Sequence, residues 1–178
     1  MIKLKYLESS DYKKVIEWNV EKSKDFLYQW AGPSYQFPIT EDQLSERLHN
    51  KANLPHGDFY IYKVILEETG EMVGTIELCN IDREDRTAHA GKFLIDESQR
   101  GKGLGKLILR ELVKICFDEM GLSTVTLNVY DFNVGAIKCY EKVGFIKKEL
   151  KENVWESETG FWNQYLMEIK KEDFHISE

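Results

Sequence analysis

Residues 99–106 read Gln99-Arg100-Gly101-Lys102-Gly103-Leu104-Gly105-Lys106 and run straight into a stretch with Leu107, Ile108, Leu112 and Ile115 at helical spacing. Glycines at alternate positions let the backbone take positive φ and come close to a ligand. At a helix N-terminus several N–H groups then face one point, where the helix dipole is positive. Arg100, Lys102 and Lys106 add side-chain charge. The result is an anion site suited to a diphosphate. Read without function, it is a tight glycine turn with solvated lysines. Any fold for this chain must deliver a turn into a helix at this point.

Spacing excludes two common phosphate loops. A Walker A loop needs GxxxxGK followed by Ser or Thr, but Gly101 and Gly105-Lys106 stand one residue too close and Leu107 follows. A dinucleotide fingerprint GxGxxG needs glycine where Lys106 stands.

The rest of the chain supplies an alternating order of elements. Residues 2–7 read as a strand. Ser10 caps a helix to about residue 19, with Tyr12, Val15 and Ile16 on its apolar side. Residues 25–39 read as an aromatic loop. Thr40 and Gln43 form a capping box for a helix over 41–50. Strands follow over 58–66, 72–80 and 87–95, with a turn at 68–71. Helix 103–120 ends at Gly121, and a β-branched strand covers 124–130. A short helix over 133–143 ends at Gly144, and strands 145–150 and 161–169 close the order. Two early helices, an antiparallel meander and a β-α-β-α-β segment indicate an α+β domain with one mixed, twisted sheet. The strands either side of helix 103–120 should be parallel, joined by a right-handed crossover.

At 178 residues the chain suits a single domain, 1–178. Its net charge of −7 argues against nucleic acid as a partner, because phosphate contacts need a basic face. The same charge is compatible with a cationic substrate such as an amine. No apolar run reaches the roughly 20 residues of a membrane span, and residues 1–6 lack the pattern of a signal peptide. A cytoplasmic protein is expected. Cys79, Cys116 and Cys139 form no CxxC pair, and no His/Cys/Asp spacing suggests a metal.

Two motifs carry a family resemblance. The first is Arg-x-x-Gly-x-Gly, read as Arg100, Gly103 and Gly105. The second is the segment Asn128 to Phe145, whose Asn133, Ala136, Tyr140, Gly144 and Phe145 match a strand-Asn-x-x-Ala-x-x-x-Tyr-x-x-x-Gly-Phe pattern. Together they resemble the GNAT superfamily of acyl-CoA N-acyltransferases over most of the chain, most strongly over 72–146. Within it, the branch that acetylates ribosomal-protein alanine N-termini and polyamines is the most similar, through a segment like Gly74-Thr75-Ile76-Glu77-Leu78.

The resemblance implies a GNAT fold: six to seven strands, about four flanking helices, and two central parallel strands that splay apart. It implies acetyl-CoA as donor and an N-acetyltransferase activity on a primary amine, either a small molecule or a peptide N-terminus. Carried over, Phe93, Leu94 and Ile95 would pair with the pantetheine arm. Residues Arg100, Gly101, Lys102, Gly103, Leu104, Gly105 and Lys106 would hold the diphosphate; Asn133 would bond the pantetheine or diphosphate side, and Ala136 would leave room for the cofactor. Tyr140 would stand near the thioester sulfur as the general acid, and a backbone N–H of Leu94 or Ile95 would face the carbonyl oxygen. Where such members often carry a basic Glu, this chain has Ala90, so Glu77 and His89 remain as candidate bases. Trp30 and Tyr35, with Glu77 and His89, are the candidate acceptor-binding residues. Trp155, Glu156, Glu158, Phe161 and Trp162 form a second aromatic and acidic stretch. A monomer or homodimer is expected. The alternative is a non-catalytic acyl-CoA-binding module on the same fold.

Overall fold

The computed structural model describes residues 1–49 and 52–175. Seven strands are ordered β1-β2-β3-β4-β5-β7-β6. They are β1 (Ile2–Tyr6), β2 (Tyr60–Leu66), β3 (Met72–Asp82), β4 (Thr87–Ile95), β5 (Thr124–Tyr130), β6 (Ile146–Ser157) and β7 (Gly160–Lys170). The α-helices are α1 (Tyr12–Glu17), α2 (Lys24–Ala31), α3 (Glu41–His49), α4 (Leu104–Lys114) and α5 (Val134–Val143). The sheet is mixed: β4 and β5 are parallel, while β1–β2, β2–β3, β5–β7 and β6–β7 are antiparallel. The fold is α+β, with five α-helices among the described residues.

The chain forms two compact units, Met1–Cys79 with Gly91–Lys102, and Asn80–Ala90 with Gly103–Glu178. In the first, α1, α2 and α3 pack Tyr12, Val15, Leu27, Ala31 and Leu44 with Ile61 and Met72. Lys63 on β2, a buried lysine, holds the start of α1: its Nζ lies 2.7 Å from Glu8 Oε2 and 2.8 Å from Asp11 Oδ2. Those two carboxylates, not Ser10, cap the chain's entry into α1. Ser10 lies inside a preceding 3-10 turn, Ser9–Asp11.

Of the loop expected over 25–39, only residues 35–39 are irregular; the first part is helical. Ser23 Oγ accepts from Phe26 N at 3.0 Å and starts α2, whose Leu27 and Ala31 are buried one turn apart. The half-buried aromatics Phe26, Tyr28 and Trp30 mask the apolar period that signals a helix. A 3-10 turn, Gly32–Ser34, follows. The Thr40 cap holds, with Gln43 N 3.4 Å from Thr40 Oγ1, but the Gln43 side chain bonds the backbone of Gln36 and Pro38 instead of reaching back.

In the second unit α4 buries Ile108, Leu109, Leu112 and Val113. The helix expected to residue 120 changes after Lys114 into a π-helical turn, Ile115–Glu119, which buries Cys116 and Phe117. Gly121 follows at φ 70°. Strand β5 buries Val125, Leu127 and Val129 on one face and pairs with β7 from Thr124↔Lys170 to Tyr130↔Gln164. The last hairpin is longer than expected, because β6 extends through an irregularity between Lys151 and Trp155 to Ser157. Asn153 sits at φ 55° in that irregularity.

Candidate active site

The glycine loop is built for a backbone contact. Gly101 and Gly103 adopt φ 75° and 79°, and a Cβ on either would meet nothing within 4 Å. Conformation, not space, therefore requires glycine there. Gly105 is different: it is the second residue of α4 and has no positive φ. Gly103 is the N-cap of α4 and has no side-chain cap bond, whereas Ser23 caps α2 and Asn133 caps α5. The first-turn N–H groups of α4 are thus left for a ligand or water. Arg100, Lys102 and Lys106 are exposed around this turn. Arg100 Nε donates to Ile95 O at 3.1 Å, and Lys102 Nζ to Gln99 Oε1 at 3.0 Å. Open left-handed glycines, an uncapped helix start and three cations fit the diphosphate of coenzyme A.

In the second unit, Asn133 Oδ1 accepts from Ala136 N at 3.2 Å. Ala136 and Tyr140 lie one turn apart on α5 and so share a face. The Tyr140 ring leans on Phe145, with centroids 6.4 Å apart. Burial, aided by the neighbouring Cys139, pushes the Tyr140 phenol well above its ordinary pKa. Its hydroxyl has no hydrogen-bond partner among the described residues, and it remains protonated at neutral pH. Burial raises the Cys139 thiol as well, and pushes that of Cys116 up to about 12, so neither stands ready as a thiolate.

His89 and Ala90 occupy opposite faces of β4. Ala90 is only 2% exposed, so a base at that position would lie in the core. His89 pairs in register with Thr126, and the β4–β5 ladder ends one residue later at Ala90↔Leu127. That ladder covers four pairs, although β4 has nine residues and β5 seven. Thr126 Oγ1 donates to Ala88 O at 3.3 Å, so it accepts from His89 Nδ1–H at 2.9 Å. Nε2 is then the basic nitrogen, with Asn128 Nδ2 at 3.5 Å. The tautomer is assigned from these bonds.

Glu77, in the first unit, is 3% exposed and held by two cations. Arg47 Nε reaches Oε1 at 2.8 Å and Arg47 Nη2 reaches Oε2 at 2.6 Å. Lys92 Nζ is 3.3 Å from the same Oε2. Both carboxylate oxygens are therefore engaged by cations. Trp30 and Tyr35 pack against the core with ring centroids 5.9 Å apart, and Trp30 Nε1 donates to Asn19 Oδ1 at 3.0 Å. Burial pushes the Tyr35 phenol upward. Leu94 is buried, and Phe93 and Ile95 are half-buried.

The first unit also holds a cavity of about 250 Å³ that sequence reading did not locate. Its wall includes Glu17, Trp18, Phe26, Ile95, Asp96 and Arg100. Trp18 Nε1 donates to Asp96 Oδ2 at 2.8 Å, and Ser98 N and Oγ reach Oδ1 at 2.9 and 2.8 Å. Burial opposes the Asp96 charge, but these hydrogen bonds outweigh it and hold the carboxyl below its ordinary pKa. Arg47, Lys92, Thr126 and Asp96 were also missed. A lone lysine in the otherwise uncharged run 87–95, beside the strand that carries Glu77, was the available signal for Lys92. Among the described residues no helix is long and apolar enough to cross a membrane.

Comparison with known proteins gives a consistent picture. The model of the Acetyltransferase (GNAT) family matches residues 24–145. The chain is 30% identical over 114 residues to the spermine/spermidine N(1)-acetyltransferase of Bacillus subtilis, covering 60% of this chain and 75% of that one. It is 25% identical over 145 residues to the SPbeta prophage-derived N-acetyltransferase YokL of the same organism, covering 81% and 78%. The crystal structure of spermidine N-acetyltransferase from Vibrio cholerae in complex with CoA and spermine shares the fold, with a TM-score of 0.82, 18% identity and coverage of 97% and 96%.

Proposed function

The chain belongs to the acetyltransferase (GNAT) family, and we propose that it transfers an acetyl group from acetyl-CoA to a primary aliphatic amine by direct attack on the thioester. The observation that carries this reading is the loop in which left-handed Gly101 and Gly103 lead into a helix with no side-chain cap. Arg100, Gly101, Lys102, Gly103, Leu104, Gly105 and Lys106 would hold the diphosphate, and Phe93, Leu94, Ile95, Asn133 and Ala136 the pantetheine arm. When bound, acetyl-CoA supplies a thioester carbonyl.

The other roles belong to this chain's own groups. A backbone N–H of Leu94 or Ile95 donates to the carbonyl oxygen as negative charge gathers there. Tyr140, kept protonated by its burial, gives its proton to the departing sulfur. His89 Nε2, made the basic nitrogen by the Thr126 contact at Nδ1, takes the proton of the attacking amine directly or through water. Glu77 is engaged with Arg47 and Lys92, so we assign it no proton transfer. An amine needs no enzyme-bound acyl intermediate, and the raised Cys139 thiol is in keeping with that.

The acceptor side is assigned to the cavity by Trp18 and Asp96 rather than to Trp30 and Tyr35. Glu17 and Asp96 bring carboxylates to this wall. An alkylammonium would be received there by ion pairing, taking the place of the chain's own cations, Lys22 and Arg100 over the Phe26 ring and Lys14 over Trp18. The polyamine specificity of the B. subtilis and V. cholerae relatives makes a di- or polyamine the first acceptor to try. Thiol release from acetyl-CoA is the test, run with spermidine, amino acids, aminoglycosides and short peptides. Amine-dependent release supports the reading. Tight binding of CoA without release on any amine would identify an acyl-CoA-binding module instead.

A further inference from the structure

Lys92 is a lysine inside a β-strand with φ 44°. A side-chain-bearing residue in the left-handed region costs roughly 1 kcal/mol or more, and it persists only where the surroundings hold it. Two contacts do so. Its ammonium lies 3.3 Å from Glu77 Oε2. The Glu77 carboxylate is itself fixed by the Arg47 fork, at 2.8 and 2.6 Å. The Arg47 guanidinium lies over the Phe59 ring at 4.8 Å and the Tyr35 ring at 5.8 Å, so the fork cannot easily swing.

The three residues after Lys92 are Phe93, Leu94 and Ile95. Their far end is fixed too, because Asp96 N donates to Val73 O at 2.9 Å. Between the two anchors, β3 comes so close that a Cβ on Gly74 would lie 2.6 Å from Leu94 O. A segment of three residues is thus pinned at its start by an ion triad, at its end by a backbone bond, and at its middle by a glycine contact.

We propose that the Arg47–Glu77–Lys92 triad is a positioning device: it holds the kink at Lys92 and thereby aims the backbone N–H groups of Phe93–Ile95. The proposal rests on the reading of this segment as the edge that meets the thioester. It gives Glu77 a task other than proton transfer. It also explains why a buried acid and a half-buried lysine meet on strands that are otherwise largely apolar. Ion pairs of this kind are seldom retained for stability alone, since apolar replacements often serve as well.

The experiment compares Lys92→Met, Lys92→Arg and Glu77→Gln with the parent protein. CoA affinity, kcat, thermal midpoint and amide exchange over 93–95 are measured. Lys92→Met and Glu77→Gln should lower kcat by about tenfold to a hundredfold, as expected for a displaced donor. CoA affinity should fall by much less than kcat, about threefold at most, since the glycine loop, Asn133 and Ala136 would still hold the cofactor. Amide exchange over 93–95 should quicken, and Lys92→Arg should restore most of the rate. Unchanged exchange and unchanged kcat in folded Lys92→Met would overturn the proposal. So would a rate loss matched by an equal loss of CoA affinity. If Lys92→Met does not fold, Lys92→Gly removes the backbone strain along with the ion pair and should show the same split. A parent protein that binds CoA but acetylates nothing would remove the thioester reading. Amide exchange would then still decide whether the triad holds the segment.

Discussion

Arg47 and Glu77 meet through two parallel bonds, Nε to Oε1 and Nη2 to Oε2, on a carboxylate that is 3% exposed. Removing the acid leaves the guanidinium without its partner between Tyr35 and Phe59. Glu77→Ala should therefore destabilise the protein by about 3 kcal/mol, the scale for breaking a buried pair on one side. The shift in denaturant midpoint measures it. A loss within experimental error would mean that Arg47 finds water or another acceptor easily.

Tyr140→Phe keeps the ring against Phe145 and removes only the hydroxyl. Turnover should fall by about a hundredfold, with acetyl-CoA affinity nearly constant. An unchanged kcat would remove Tyr140 from the chemistry. Because burial raises this phenol, the acid form persists to higher pH than in free tyrosine. The rate should show no alkaline loss due to Tyr140 below about pH 10.

His89 must be unprotonated to accept a proton, so its contribution disappears as pH falls. The parent enzyme should lose rate on the acid side, and His89→Gln should be slower with that limb flattened. Thr126→Val should weaken the base by releasing its tautomer. The charge next along this face, Glu168 in register with Thr126, is paired with Lys148 at 3.5 Å. An identical acid limb in His89→Gln would assign it to another group.

Gly103→Ala forces a side chain to φ 79° at the start of α4. The strain is about 1 to 2 kcal/mol, and the loop can escape it only by turning its N–H groups away. CoA should bind at least about tenfold more weakly, by calorimetry. Gly105→Ala, inside the helix, should bind CoA nearly as the parent does. Equal effects at both positions would mean that the left-handed turn is not what holds the diphosphate.

Much of this was legible in the sequence, and the failures have physical reasons. The strands with strong β-branched or alternating patterns, 72–80, 87–95 and 124–130, stand where the pattern placed them, extended by two residues in β3. The helix α2 is hidden in the sequence because Phe26, Tyr28 and Trp30 obscure the period of Leu27 and Ala31. The glycine loop was legible because positive φ and backbone exposure leave few residue choices. Its third glycine was over-read, since Gly105 is helical. The triad could not be found locally: Arg47, Glu77 and Lys92 are separated by 30 and 15 residues, and only the strand order brings β3 beside β4. The cavity by Trp18 and Asp96 depends likewise on a contact across 78 positions.

The most direct measurement is the initial-rate pattern when acetyl-CoA and a polyamine such as spermidine are varied together. Direct attack requires both on the enzyme at once, so the double-reciprocal lines should intersect. The acetylated amine should appear in step with free thiol. Parallel lines, the fingerprint of an acyl-enzyme, or thiol release that ignores the amine would contradict direct transfer.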